Sequence, residues 1–193
     1  DEYDGIMNYS ITKACLDYLV YDVFDAQAMA DRLSHILMRN TDQANNMMLN
    51  LLDSHDTERF LTLAKKNGKD ERSLLCSLAI MFFLPGMPCI YYGTEIGMEG
   101  GYDPDCRRTF DWNRKNWNMR VYATVINLIR LRKCIKGDVT YSAENGNLLI
   151  GRGDLILAVN NGTEKRRTKI LHKEYEIGPF EFIIINIKEG EVL

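Results

Sequence analysis

The stretch that decides the fold is Asn50-Leu51-Leu52-Asp53-Ser54-His55-Asp56-Thr57-Glu58-Arg59. A largely apolar run over residues 47–52 stops at a cluster of polar residues, three of which can carry charge. Parallel strands that are buried on both faces read as continuous apolar runs. In barrels of alternating strands and helices, the chemistry lies at the C-terminal ends of the strands. The stretch therefore predicts a buried parallel strand over residues 47–53 that ends in a functional site.

The composition is that of a soluble globular protein. The 193 residues are 46% hydrophobic and 26% charged, with a formal net charge of −3, which is typical of such chains. Basic residues are scattered, which favours solvated charge over nucleic-acid binding, and no apolar run is long enough to span a membrane. The five cysteines show no C-x-x-C spacing, so we expect reduced thiols and a cytoplasmic location.

Three strand-like segments alternate with helical segments in the first part of the chain. The strands are expected at residues 3–9, 47–53 and 88–92. Helical spacing of apolar residues and capping signals predict five helices, at residues 11–24, 25–39, 58–66, 70–84 and 117–134. This alternation is typical of parallel α/β folds, but three strands cannot close a barrel of eight. We therefore expect barrel elements that precede Asp1, and the chain begins without an initiator Met.

The pattern changes after residue 136. Short β-prone runs are separated by turn signals such as Asn145-Gly146 and Asn160-Asn161-Gly162, which are typical of hairpins. The fold class predicted is α/β followed by all-β. The domain boundaries predicted are residues 1–136 for a partial barrel and 137–193 for an antiparallel β domain.

The polar cluster at residues 53–56 admits several interpretations. Ser54, His55 and Asp56 could form a serine triad, but a triad needs groups that converge from separate places. Asp53, His55 and Asp56 could bind a metal, but the remaining ligands do not occur at recognisable spacing. A third possibility is a carboxylate with a neighbouring histidine that binds a polyhydroxylated substrate. The fourth is an ordinary polar strand end.

A second cluster lies in the loop-like segment 93–116. Asp103 and Arg107 can face one side of a turn, which would give a hydrogen-bond acceptor beside a forked donor for vicinal hydroxyls. The alternative is a structural ion pair that closes the loop. Aromatic residues also gather near the expected strand ends, where they could stack on sugar rings or fill the core: Tyr9, Tyr91, Tyr92, Tyr102, Phe110, Trp112 and Trp117.

Four segments in this order resemble the α-amylase family of glycoside hydrolases, and most closely its neopullulanase, cyclomaltodextrinase and maltogenic amylase group. They are Tyr3 to Tyr9, Leu51 to Thr57, Pro88 to Met98 and Gly101 to Arg108. The resemblance implies the sixth, seventh and eighth strands of a (β/α)8 TIM barrel, followed by an antiparallel β-sandwich domain. It implies hydrolysis of α-1,4-glucosidic bonds in cyclomaltodextrins, pullulan or starch oligosaccharides.

The resemblance also implies roles for four residues. Asp56 matches the transition-state stabiliser, and His55 matches a histidine that binds sugar hydroxyls at the cleavage subsite. Asp103 and Arg107 match residues that bind the neighbouring sugar. No metal site or cofactor is expected in this chain, since the family's calcium-binding elements would precede Asp1.

One departure from the family pattern is decisive for activity. A retaining glycosidase needs a nucleophile and an acid, both carboxyl groups, about 5 Å apart, and the family carries them in motifs that would precede Asp1. The only similar triplet, Arg152-Gly153-Asp154, lies in the β part. We therefore expect the last third of such an enzyme, inactive alone, with exposed strand edges that favour self-association. The alternative is a non-catalytic carbohydrate-binding or interaction protein on the same fold.

Overall fold

The computed structural model describes residues 5–193. Its helices are α1 (Tyr9–Leu19), α2 (Ala26–Met38), α3 (Asp42–Met47), α4 (Phe60–Lys66), α5 (Glu71–Phe83) and α6 (Met119–Arg132). Its strands are β1 (Leu49–Leu51), β2 (Met87–Cys89), β3 (Val139–Glu144), β4 (Asn147–Arg152), β5 (Leu155–Asn160), β6 (Arg166–Ile170), β7 (Lys173–Ile177), β8 (Glu181–Asn186) and β9 (Glu191–Val192). The mixture of helices, a parallel strand pair and antiparallel sheets confirms an α/β part followed by a β part.

The parallel part of the fold is short. Strands β1 and β2 pair in parallel, with Leu49 opposite Met87, and Met7 forms a parallel bridge to Leu49. The predicted strand at residues 3–9 is thus reduced to a single bridge among the described residues, because α1 begins at Tyr9; residues 3 and 4 lie outside them. The three segments lie in the order expected for neighbouring barrel strands, and their assignment as the sixth to eighth strands stays a prediction.

The strand predicted at residues 88–92 is displaced. The structure ends β2 at Cys89, because a turn begins at Tyr91, whose carbonyl accepts a hydrogen bond from Thr94 N at 3.1 Å. Gly93 completes this turn with a φ of 88°, which glycine adopts without strain. The two tyrosines therefore belong to the loop that follows the strand.

Helix α5 forms the centre of the main core. All but its first two residues are buried, as its all-round apolar pattern predicts. The Asp70 side chain caps its first turn by accepting from Arg72 N. The short helix α3 is absent from the prediction because its sequence, DQANNM, has no apolar stripe; the Thr41 side chain caps it by accepting from Ala44 N.

The β part consists of a five-stranded sheet in the order β3-β4-β5-β8-β9 and a separate hairpin of β6 and β7. Helices α2 and α5 pack on one side of the five-stranded sheet, and one buried apolar cluster includes residues of both helices and of this sheet. A second, smaller cluster joins the sheet to the hairpin. Strands β7 and β9 were not predicted, because the first is mostly charged and the second has two residues. The domain boundary at residue 136 stays a prediction.

Candidate active site at the end of strand β1

The first carboxylate after β1 is buried. Asp53 is 4% exposed; its Oδ1 accepts from Phe60 N and its Oδ2 accepts from Thr94 Oγ1, both at 2.5 Å. Burial raises the pKa of Asp53, although both hydrogen bonds oppose this shift. Asp53 thus joins the end of β1 to the start of α4 and to the turn after β2, and it has a structural role.

The next residues form a turn that brings Asp56 to the surface. Ser54 Oγ lies 3.0 Å from Thr57 Oγ1 and accepts from Asp56 N at 3.2 Å. Such side-chain-to-backbone bonds stabilise turns in preference to a continued strand. The Asp56 carboxylate is consequently 61% exposed, in contrast to the buried Asp53.

Four residues selected from the sequence meet at this turn. His55 Nε2 lies 3.0 Å from Asp56 Oδ1, and Arg107 Nη2 lies 3.6 Å from the same oxygen. Arg107 Nε lies 2.8 Å from Asp103 Oδ1 and donates to the backbone carbonyl of His55 at 3.0 Å. The arrangement presents two carboxylates, an imidazole and a guanidinium on one exposed surface, which is the chemistry that binds sugar hydroxyls. Their individual roles stay predictions.

The loop that carries Asp103 and Arg107 is fastened from within. Asp105 forms two hydrogen bonds with Arg108, at 2.7 and 2.8 Å, and accepts from Gly101 N at 2.6 Å. The hydrogen bond from Arg108 is the main reason that the pKa of Asp105 is lowered. Because these contacts define the turn, the two sugar-binding candidates are held on the same side of it.

The geometry excludes two of the interpretations left open by the sequence. Ser54 Oγ pairs with Thr57, while His55 Nε2 pairs with Asp56, so no serine–histidine relay is formed. No group of three or more His, Cys, Asp or Glu side chains within residues 5–193 could hold a metal ion. The metal interpretation of Asp53, His55 and Asp56 is therefore not supported by the described residues.

The triplet Arg152-Gly153-Asp154 is part of a hairpin. Arg152 ends β4 and donates to the carbonyls of Phe83 and Leu84, and Asp154 forms an ion pair with Lys188 at 2.7 Å. These residues fasten the β part, and they lie in a structural context unlike that of a catalytic nucleophile.

The aromatic residues near the site divide into two groups. Tyr102 and Trp112 are largely exposed, whereas Tyr91 is half-buried. The ring of Tyr91 lies over the guanidinium of Arg59, at 4.7 Å from its carbon. Partial burial, and then the contact with Tyr92, raise the pKa of Tyr91 to about 12. Sequence reasoning missed Arg59, because an arginine next to a helix start carries no signal of burial.

Comparison with known proteins identifies the chain's relatives. Residues 1–138 match the family model described as alpha amylase, catalytic domain. The chain is 41% identical over 156 residues to an intracellular maltogenic amylase of Bacillus subtilis, covering 81% of this chain and 26% of the relative. It is 38% identical over 168 residues to a cyclomaltodextrinase of Geobacillus thermopakistaniensis, covering 85% of this chain and 27% of the relative. The chain thus spans about a quarter of the length of these curated relatives.

The fold resembles that of a solved hydrolase. A cyclic alpha-maltosyl-(1→6)-maltose hydrolase from Arthrobacter globiformis superposes with a TM-score of 0.87 at 29% identity, covering 94% of this chain and 44% of that chain. The same enzyme has been solved in complex with maltose, and that structure matches this chain equally well, with a TM-score of 0.87. No described helix is long and apolar enough to cross a membrane.

Proposed function

Because this chain belongs to the α-amylase family of glycoside hydrolases, we propose that it is part of a retaining enzyme for α-1,4-glucosidic bonds. The proposed substrates are cyclomaltodextrins, pullulan and starch oligosaccharides. Relatives named maltogenic amylase, cyclomaltodextrinase and neopullulanase support this substrate class. The observation that carries the proposal is the exposed Asp56 carboxylate, on which His55 and Arg107 converge.

Each of the four residues has a role that its contacts support. Glycoside hydrolysis passes through an oxocarbenium-like transition state, and an exposed carboxylate such as Asp56 stabilises that positive charge. His55 lies beside this carboxylate, where its ring can bind hydroxyls of the sugar being cleaved. Asp103 and Arg107 form an acceptor and a forked donor side by side, which suits vicinal hydroxyls of the adjoining sugar.

The nucleophile and the acid are proposed to come from the part of the relatives' length that this chain does not span. A retaining enzyme needs these two carboxyl groups about 5–5.5 Å apart, and the family resemblance assigns neither of them within residues 1–193. We therefore propose that the 193-residue chain alone has no glycosidase activity. The family's calcium is likewise expected outside this chain, and no cofactor is proposed within it.

A non-catalytic carbohydrate-binding protein is the second candidate. The pair of Asp103 and Arg107 together with His55 supports it, because binding hydroxyls needs no nucleophile. An assay of product release by a protein of the relatives' full length would distinguish the two candidate functions. The enzyme releases α-anomeric products from maltotriose, whereas the binding protein binds maltotriose and releases no product. In the enzyme, Asp56→Asn should lower kcat by about 10²- to 10³-fold, the cost typical of removing one transition-state stabilising group.

Sugar binding by the chain itself is the direct test. We expect maltotriose to shift the backbone amide resonances of the turn at residues 53–57 and the loop at residues 100–108 in an NMR titration. Arg107→Ala should weaken this binding at least tenfold, because the forked donor is lost. Arg167→Ala is the matched control, since Arg167 is an exposed arginine on β6 that pairs with Glu176. Equal binding by the two variants would contradict the proposed site.

A turnover assay tests the proposal of inactivity. We expect no release of glucose or maltose from maltotriose by the 193-residue chain. Turnover that Asp56→Asn abolishes would show that the chain contains its own nucleophile and acid.

We further infer a cytoplasmic location, which the five free cysteines and the relative named intracellular support.

A further inference from the structure

Arg59 is a fully buried cation beside the candidate site. Its exposure is 0%. Its Nη1 donates to the Tyr92 carbonyl at 2.9 Å, and its guanidinium carbon lies 4.7 and 5.2 Å from the ring centroids of Tyr91 and Tyr92. Within the described residues, Nε and Nη2 have no hydrogen-bond partner. The buried Asp53 is a nearby opposite charge, since Arg59 lowers the pKa of its carboxyl. The missing hydrogen bonds at Nε and Nη2 nevertheless cost stability.

Both ends of the loop at residues 100–108 are fastened to Arg59. At one end, the backbone N–H of Arg59 donates to the carbonyl of Gly100 at 2.9 Å. At the other end, the Tyr92 hydroxyl donates to the carbonyl of Arg108 at 2.9 Å, and Tyr92 is itself held by the Arg59 guanidinium. The loop between these two ends carries Asp103 and Arg107.

We propose that Arg59 is a positioning residue that holds the loop at residues 100–108 in its sugar-binding conformation. The proposal rests on the proposed function for the meaning of that conformation. Because the side chain is fully buried, its guanidinium acts on the loop through Tyr92 and does not touch the sugar. The bond to Gly100 is made by the backbone, so Arg59→Lys keeps it.

The chemistry of the guanidinium explains why an arginine occupies this position. Its flat, delocalised cation can lie against aromatic faces while an N–H at its edge donates to a carbonyl. A lysine ammonium is a compact charge that cannot make both contacts in the same geometry. Arg59→Lys should therefore keep the charge and lose the positioning.

Hydrogen exchange in the loop tests the inference without any sugar. The amides of Asp105 and Arg107 donate to the carbonyls of Tyr102 and Pro104, respectively. The rate at which these amides exchange reports how often the loop opens. We expect Arg59→Lys to accelerate their exchange by about tenfold or more. Tyr92→Phe removes only the bond to Arg108, at a partly exposed position, and should accelerate the same amides less.

Arg132→Lys is the matched control. Arg132 is half-buried and, like Arg59, donates to backbone carbonyls, in this case those of Phe82, Leu84 and Gly86. It fastens the end of α5 and not the loop. We expect Arg132→Lys to lower the free energy of global unfolding. Amide exchange in the loop should rise no more than this loss of global stability explains. The inference is wrong if loop exchange in Arg59→Lys equals that of the wild type, or if Arg132→Lys accelerates it equally. If Arg59→Lys does not fold, unchanged loop exchange in Tyr92→Phe overturns it.

Maltotriose titration separates this inference from the proposed function. We expect Arg59→Lys to weaken binding by about tenfold at unchanged binding stoichiometry, and the Arg132→Lys variant to bind like the wild type. A wild-type chain that does not bind maltotriose would contradict the proposed function, while the exchange result would still decide the role of Arg59. Wild-type affinity in Arg59→Lys, beside weakened binding in Arg107→Ala, would overturn the positioning role alone.

Discussion

The hydrogen bond between Thr94 and Asp53 offers a quantitative test of the buried half of the site. Thr94→Val removes the hydroxyl that donates to Asp53 Oδ2 and keeps a side chain of similar shape. Thr94 and Asp53 are 2% and 4% exposed, so water does not readily replace the lost donor. Hydrogen bonds to charged groups contribute about 1.5–3 kcal/mol. We therefore expect the variant to lose about 2–3 kcal/mol of its free energy of unfolding near neutral pH.

The loss should depend on pH with a defined sign. Burial raises the pKa of Asp53 above its ordinary value of 3.8, and the Thr94 hydroxyl lowers it. A carboxyl whose pKa is raised on folding contributes stability below its unfolded pKa and loses it as pH rises through the folded pKa. Without the hydroxyl the folded pKa rises further. The difference between variant and wild type should therefore be smallest near the unfolded pKa and grow toward neutral pH.

Urea denaturation followed by circular dichroism at several pH values measures this effect. Thr12→Val is the matched control, because the Thr12 hydroxyl donates at 2.8 Å to the neutral carbonyl of Leu51. It should cost about 1 kcal/mol, the usual contribution of a neutral hydrogen bond, with no comparable change over pH. In an Asp53→Asn background, Thr94→Val should lose its pH dependence. A pH-independent loss in the wild-type background, or a loss below about 0.5 kcal/mol at neutral pH, would refute the reasoning.

Two further predictions concern the core and the exposed strand pair. Leu78→Ala, at a fully buried position of α5, should cost about 2–5 kcal/mol in urea denaturation, whereas Leu171→Ala, at a position 63% exposed, should cost less than about 0.5 kcal/mol. Three apolar residues lie next to each other across the parallel segments and are 39%, 37% and 44% exposed: Met7, Leu49 and Met87. We therefore expect the chain to self-associate in sedimentation velocity, and Leu49→Lys to reduce the self-association. A monodisperse wild-type monomer at high concentration would contradict this prediction.

Elements with strong local signals were predictable from the sequence. Helix α5 has apolar residues on every side and an aspartate cap, so its burial and its start follow from its own residues. The turn between β3 and β4 is an Asn-Gly pair in which both residues have positive φ, as this dipeptide predicts. In these cases the free energy that fixes the conformation comes from residues within a few positions.

Elements that depend on distant partners were not predictable. The end of β2 is an exception with a local cause, since the turn at Tyr91 and Gly93 is hidden by the apolar, β-prone run Cys89 to Tyr92. Helix α3 has little apolar surface, and Asn45 fastens it to α2 through the carbonyl of Leu37. Arg59 is buried because two tyrosine rings more than 30 residues later cover it. Hydrophobic periodicity within a single segment does not record such contacts.

The candidate site follows the same division. Asp53 and Asp56 are both aspartates after one strand; the family resemblance distinguishes them, but the local residue pattern does not predict which of them is buried. Their environments differ. Asp53 accepts hydrogen bonds within the core from Thr94, which is 41 residues away, and from Phe60 N at the start of α4. Ser54 and Thr57 stabilise a turn that places Asp56 at the surface. Burial of both carboxylates would cost far more than the available donors could offset. The buried aspartate thus fixes the turn on which the exposed one depends, so a variant that releases Asp53 should also displace Asp56.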